Sequence, residues 1–182
     1  IRDAADIFTI TIDDLLSLPL FKEKRTNNLF TSIERSKQPA LDRFLFALGI
    51  RYLGEQSSYD LSKEVQLRWI ASSETPHPTA ITPLELLEII KTFSLDDLKN
   101  IDGIGDKIGE TLYEWFNNEK NQQYLKKLHD VGIVLNISSA NSSAKLSGKS
   151  FVITGTLQAF TRDQAKDLIK QNGGKMHSAI TR

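Results

Sequence analysis

Cysteine is missing from all 182 residues, which removes disulfides and thiolate zinc sites from this stretch and argues against a secreted disulfide scaffold. Long apolar runs are missing too. Nothing approaches the ~20 residues that cross a bilayer, and the first residues lack the basic start and apolar run of a signal peptide, so a soluble intracellular protein is expected. Net charge is missing as well: 23 basic and 23 acidic side chains cancel, without the broad basic surface that commonly attracts polyanions. The balance is uneven, since from Lys145 onward seven basic residues accompany two acidic ones, leaving the earlier part slightly acidic. An anion held there must be held by local amides and a few cations. His77, His129 and His177 stand far apart, none at metal-ligand spacing. No nucleophile elbow, Walker loop or dinucleotide fingerprint occurs. No catalytic or metal-binding residue is therefore expected. The chain opens on Ile1 without an initiator methionine and reads as part of a longer protein.

What is present centres on Ile101-Asp102-Gly103-Ile104-Gly105-Asp106-Lys107-Ile108-Gly109. Leu95, Leu98 and Ile101 precede this run, and Ile104, Ile108, Leu112, Trp115 and Phe116 follow it, each set spaced to share one helical face. Two short helices should meet at a glycine-bracketed hairpin. Glycine accepts positive φ and leaves the amides open to close approach. The first turn of the second helix has N–H groups without intrahelical acceptors at the positive end of the helix dipole, a geometry that can hold a phosphate oxygen. Ile104 should anchor the hairpin from inside while Lys107 supplies a mobile charge. A tight turn with nothing bound is the plainer alternative.

An earlier stretch repeats the pattern at an offset of 83 residues. Thr11-Ile12-Asp13-Asp14 matches Ser94-Leu95-Asp96-Asp97, followed by Leu15 with Leu98, Leu18 with Ile101, Phe21 with Ile104, Lys24 with Lys107 and Leu29 with Leu112. Leu20 and Lys22 replace the two glycines, so this copy reads as mainly structural. Lys22, Lys24 and Arg25 either touch an anion through their side chains or form a solvated charge run. Leu41, Phe44, Leu45 and Leu48 make another apolar stripe leading to Gly49-Ile50-Arg51-Tyr52-Leu53-Gly54-Glu55. Here Gly49 is a helix stop, Arg51 can reach a phosphate, and a helix should run from about Glu55 to Val65. Residues 72–78 read as loop. Thr82-Pro83-Leu84-Glu85 restarts a helix with proline in its first turn, burying Leu84, Leu87, Ile90 and Phe93, and Thr92-Phe93-Ser94 suggests one more degenerate hairpin. Tyr124, Leu125, Leu128 and Val131 mark a last helix ending near Gly132.

The pattern changes after that helix. Residues 136–145 are small and polar, as in a flexible linker. A strand is expected over 150–154, turned by Gly155-Thr156. Thr161-Arg162-Asp163-Gln164 has capping-box spacing, Ala165, Leu168 and Ile169 give the following helix one apolar face, and Asn172-Gly173-Gly174 stops it before a second strand. Strand, helix and strand make half of a fold that needs more sheet. The architecture is thus mainly α: a compact helical domain over 1–135, a linker over 136–145, and a truncated α/β segment over 146–182.

The central run resembles the helix-hairpin-helix motif of non-sequence-specific DNA-binding proteins. The whole order is more specific: hairpins, including Leu45-Phe46-Ala47-Leu48-Gly49-Ile50-Arg51, then a Ser-rich linker, then Leu-x-Gly-Lys-x-Phe-Val-x-Thr-Gly-Thr-Leu at 146–157, Arg162 and Gly173-Gly174-Lys175. It is similar to the C-terminal part of the bacterial NAD-dependent DNA ligases, with helix-hairpin-helix motifs followed by the first half of a BRCT domain. The resemblance implies that Gly103, Ile104, Gly105 and Lys107, with Gly49, Arg51 and Gly54, contact duplex DNA around a nick. In BRCT relatives the corner equivalent to Thr154 and Gly155, assisted by Arg162, can hold a phosphate. NAD, magnesium and zinc would act upstream of residue 1, in the parent's catalytic and cysteine zinc modules, so this fragment should bind without ligating. Lys99-Asn100-Ile101-Asp102-Gly103 has one residue too many for that family's Lys-x-Asp-Gly motif. Nicked duplex DNA and the upstream domains are the implied partners, with no membrane, in bacterial cytoplasm beside the nucleoid. A DNA-binding scaffold from a nuclease or clamp-loader-like repair protein, or a protein-interaction module, are the alternatives.

Overall fold

A hydroxyl residue with an acid three positions later starts three of the helices. The computed structural model describes residues 1–72, 79–137, 144–146, 148–155 and 157–176, in two units, Ile1–Ile137 and Ser138–Arg182. The first contains a 3-10 segment (Ala4–Thr9), α1 (Ile12–Leu16), α2 (Glu23–Arg35), α3 (Leu41–Ala47), α4 (Glu55–Ala71), β1 (Ala80–Ile81), α5 (Pro83–Lys91), α6 (Leu95–Lys99), α7 (Asp106–Asn117), α8 (Glu119–Asp130) and β2 (Leu135–Asn136). Thr11, Thr82 and Ser94 cap α1, α5 and α6. Each hydroxyl accepts from the N–H three residues on, and Asp14, Glu85 or Asp97 accepts from the cap's own N–H. Two otherwise orphaned donors are thereby satisfied at each start.

The core is built around α5, whose Leu86, Leu87, Ile89 and Ile90 are buried against α4, α7 and α8. Leu84, expected inside, is only half-buried, and Leu86 and Ile89 take its place because α5 is covered on more than one side. Leu45, Leu61, Leu98, Leu112, Phe116 and Leu125 complete the interior, each contributing about 1.5–3 kcal/mol by leaving water. That burial holds the hairpins between the helices in fixed shape.

Two boundaries of the first unit differ from the sequence reading. Helix α4 continues past Val65 to Ala71. Beyond Val65, Trp69 packs on the core while Leu67 and Ile70 face solvent, so no single apolar stripe announces the extra turns. Of the loop read at 72–78, residues 73–78 lie outside the described residues. The linker expected over 136–145 starts inside the first unit: β2 pairs antiparallel with β1, Ala80 opposite Asn136. The Asn136 N–H donates to the Pro39 carbonyl at 2.9 Å, and that of buried Ile137 to Thr79 at 2.8 Å. Residues 138–143 lie outside the described residues.

The second unit has a 3-10 turn (Ala144–Leu146), β3 (Ser150–Phe151), α9 (Arg162–Gln171) and β4 (Lys175–Met176), with β3 and β4 parallel and Ser150 opposite Lys175. Thr161 and Gln164 form the anticipated reciprocal cap. The strand is shorter than anticipated, since Val152–Thr154 falls outside it. Gly174 is buried because a Cβ there would meet the Ile169 side chain at 2.7 Å and the Phe151 ring at 3.0 Å. The described part is thus a β-α-β crossover, and the whole chain is mainly α with a small α/β segment.

Candidate nucleic-acid interface

Three of the connections between helices share one backbone. Between α6 and α7 the Ile104 N–H donates to the Ile101 carbonyl at 2.9 Å, Gly103 has φ +84°, and Gly105, extended at φ −87° and ψ 177°, caps α7. Between α3 and α4 the same roles fall to Leu53 donating to Ile50 at 3.1 Å, Tyr52 at φ +67°, and Gly54 at φ −84° and ψ 177°. Between α1 and α2 they fall to Phe21 donating to Leu18 at 3.2 Å, Leu20 at φ +72°, and Lys22 at φ −107° and ψ 164°. An acidic residue, Asp106, Glu55 or Glu23, opens the second helix each time. The repeat at an offset of 83 residues is therefore structural: α1 coincides with α6 and α2 starts where α7 does. Thr92–Ser94 does not join the set, because Thr92 has φ −76° and the connection contains no left-handed residue.

The first copy keeps the hairpin but loses the burial. Leu18 is 46% exposed and Leu29 37%, where their counterparts Ile101 and Leu112 are 8% and 0%. Arg25 rests on the Phe21 ring, 4.5 Å from its centroid.

In the third hairpin Gly103, Gly105, Asp106 and Lys107 are exposed while Ile104 is buried. Ile104 is thus the inward anchor, its N–H already bonded to Ile101. The Gly105, Asp106 and Lys107 amides lie at the cap and first two positions of α7, where no intrahelical acceptor precedes them. A Cβ on Gly105 would meet nothing within 4 Å, so the approach to these amides is open. In the second hairpin Gly54 occupies the same position before α4, also with nothing within 4 Å of a Cβ. Gly49 lies earlier: at φ +66°, with its N–H donating to the Phe46 carbonyl at 3.2 Å, it ends α3.

The two hairpins meet. Arg51 from the second and Lys107 from the third both lie over the Tyr52 ring, at 4.8 and 5.1 Å from its centroid. Ser57 on α4 donates to the Gly103 carbonyl at 3.1 Å. A Cβ on Gly103 would come 2.6 Å from the Asp60 carboxylate, which the Gln56 amide holds at 3.1 Å. The start of α4 thus fixes where the mouth of α7 points. Tyr52, Ser57 and Asp60 escaped the sequence reading. The signal for Tyr52 was available: Ile50-x-x-Leu53-Gly54-Glu55 aligns with Ile101-x-x-Ile104-Gly105-Asp106, which places Tyr52 on Gly103. Gly109 also escaped it. Its missing side chain lets α7 lie against Lys99, whose backbone nitrogen would be 3.1 Å from a Cβ.

Charge around the mouths is mixed. Among the described residues, Arg51 and Lys107 make no ion pair, leaving both available to an anion. The acids Glu55 and Asp106 favour the helix dipole but oppose a phosphate. Lys99 offsets part of that, at 2.8 Å from Glu110 and 3.9 Å from Asp106. The hydrogen bond with Glu110 raises the Lys99 ammonium above its ordinary range. Hydrogen bonds from Ser94 and Arg68 hold the Asp97 carboxyl below the usual carboxylate range.

In the second unit Thr154 and Gly155 are exposed, Gly155 at φ +76°. The Arg162 guanidinium donates to the Gly155 carbonyl at 3.1 Å, so Arg162 braces the corner. Thr156 lies outside the described residues.

Comparison with known proteins agrees with this geometry. A family described as Helix-hairpin-helix motif matches residues 83–125, and one described as BRCA1 C Terminus (BRCT) domain matches 141–182. The DNA ligase of Chlamydia caviae is 38% identical over 182 residues, that of Cytophaga hutchinsonii 37% over 185, and that of Parabacteroides distasonis 34% over 184, each alignment covering the whole of this chain. The chain spans about a quarter of the length of these relatives, 24–25%. Matched from end to end by about a quarter of each of these relatives, the chain is similar to that part of the DNA ligases and carries both a helix-hairpin-helix motif and a BRCT part.

Proposed function

We propose that this chain is the DNA-gripping C-terminal region of an NAD-dependent DNA ligase, which holds duplex around a nick while other parts of the protein seal it in replication and repair. The observation that carries the reading is the meeting of two open helix mouths, at Gly54 and Gly105, with two cations, Arg51 and Lys107, that share one ring and make no ion pair among the described residues. Amides at a helix start accept phosphate oxygens of any sequence, and contacts to the sugar-phosphate backbone position a protein without reading bases. A chain of zero net charge suits local capture better than a long-range field.

Gly103 and Gly49 shape the two hairpins, Ile104 anchors the third, and Thr154, Gly155 and Arg162 offer a separate phosphate corner in the BRCT part. On this reading NAD, magnesium and zinc act in the rest of the longer protein. The sequence has no cysteine; among the described residues no group of acids and histidines could hold a metal ion; and Lys99, ahead of Asp102-Gly103, is engaged by Glu110 and Asp106. The same reading gives adenylate transfer to the rest of the longer protein, with the cytoplasm, at the nucleoid, as its place of work. No helix of the described residues is long and apolar enough to cross a membrane.

Titration of the chain with nicked duplexes of unrelated sequence tests this. Two cations neutralise about two phosphates, which gives a slope near −1.8 in log K against log salt and a loss of roughly tenfold between 50 and 200 mM. Affinity that ignores salt, or that follows sequence, would refute the reading.

A further inference from the structure

Tyr52 is held where glycine would be cheaper. Its φ of +67° lies in the left-handed region, and at the same position of the third hairpin Gly103 adopts φ +84°, so the turn itself calls for no side chain. An L-residue there carries a strain of about 1–2 kcal/mol, which Leu20 also bears at φ +72° in the first hairpin, so the role of Tyr52 follows from what its ring contacts. Nor does packing explain the residue, since Tyr52 is 45% exposed. What the ring does contact is charge: the Arg51 guanidinium from its own hairpin and the Lys107 ammonium from the other one.

We infer that Tyr52 is a DNA-contacting residue that sets the spacing of Arg51 and Lys107 and lays the exposed part of its ring against the deoxyribose between the phosphates they hold. The inference rests on the duplex-binding reading and adds a residue to it. Each cation is about 5 Å from one ring centre. They stand no more than about 10 Å apart, close enough for both to reach phosphates of one strand. The two hairpins, already joined by the Ser57 hydrogen bond to Gly103, are also coupled at their cations through one aromatic ring. The ring also restricts two side chains that would otherwise lose more rotamer freedom on binding.

The test compares Tyr52→Gly, Tyr52→Phe and Gly105→Val in the 182-residue chain, by thermal melting and by titration with nicked duplex over a salt series. Tyr52→Gly is expected to melt at the parent temperature or a few degrees above it, because strain is relieved. It should bind about five- to 150-fold more weakly, the range for losing one aromatic contact. Tyr52→Phe keeps the ring and should stay within about twofold of the parent. If Tyr52→Gly binds as the parent does while Gly105→Val is impaired, the role of Tyr52 is wrong and the helix-mouth reading survives. If Gly105→Val also binds as the parent does, both fail together.

Discussion

Replacing Gly105 with valine separates the fold of the third hairpin from its proposed use. Gly105 is extended, at φ −87° and ψ 177°, a region any residue adopts. A Cβ there would meet nothing within 4 Å. The valine Cβ therefore meets no neighbour, and no left-handed strain is added. What it loses is glycine's modest merit as an N-cap, about 0.5–1 kcal/mol, or a melting shift of about 2–4 °C for a chain of this size. The effect on binding should be larger. The branched side chain would stand over the Asp106 and Lys107 amides, and a hydrogen bond from an amide to a charged phosphate contributes about 1.5–3 kcal/mol, equivalent to roughly 10- to 150-fold in affinity. Fluorescence anisotropy with a nicked duplex at fixed ionic strength measures the second quantity, and circular dichroism melts measure the first. A Gly105→Val protein that melts within a few degrees of the parent and binds within about twofold of it would refute the amide mechanism.

Two further substitutions probe the scaffold. Gly109→Val should destabilise the chain by about 2–3 kcal/mol as overpacking, because a Cβ would lie 2.8 Å from the Lys99 side chain and 3.1–3.2 Å from its backbone; chemical denaturation checks this, and a parent-like midpoint would show that α6 and α7 can separate freely. Asp97 is ionised more readily in the fold than in the unfolded chain, held so first by the Ser94 backbone N–H. Its stabilising effect is present above the ordinary aspartate range near pH 4 and is lost as pH falls through the lower folded value. Asp97→Asn should therefore show a flatter fall in melting temperature on acidification below about pH 4 than the parent, and an unchanged acid limb would deny the cap that role.

Much of the helical part was legible because local chemistry states it. The capping pairs at Thr11, Thr82 and Ser94, the proline in the first turn of α5, and Gly132 at φ +84° after α8 are signals carried by a few adjacent residues. The 83-residue repeat was legible for the same reason. Other features are non-local and had no such signal. The β1–β2 pair joins residues more than 50 apart through two-residue strands, too short to show alternation. The last turns of α4 bury Trp69 yet expose Leu67 and Ile70, so periodicity fades where the helix does not. The grip of Ser57 and Asp60 on Gly103 depends on α4 crossing the third hairpin, which no spacing along the chain announces.

The pairing of hairpins also explains why a degenerate copy can persist. In the second and third hairpins the left-handed position is guarded by protein: Tyr52 lies beneath two cations, and Gly103 lies under Asp60. In the first, Leu20 holds the same conformation at φ +72° while 86% exposed, and Lys22 replaces the glycine that leaves the other two helix mouths open. Its backbone is set by the same Phe21 to Leu18 hydrogen bond, so the loss of both glycines leaves the turn intact and removes only the open approach to the amides. Shape in these hairpins comes from the inward apolar residue and its carbonyl partner, whereas access comes from the glycine at the cap. The two can change independently, and in this chain they have.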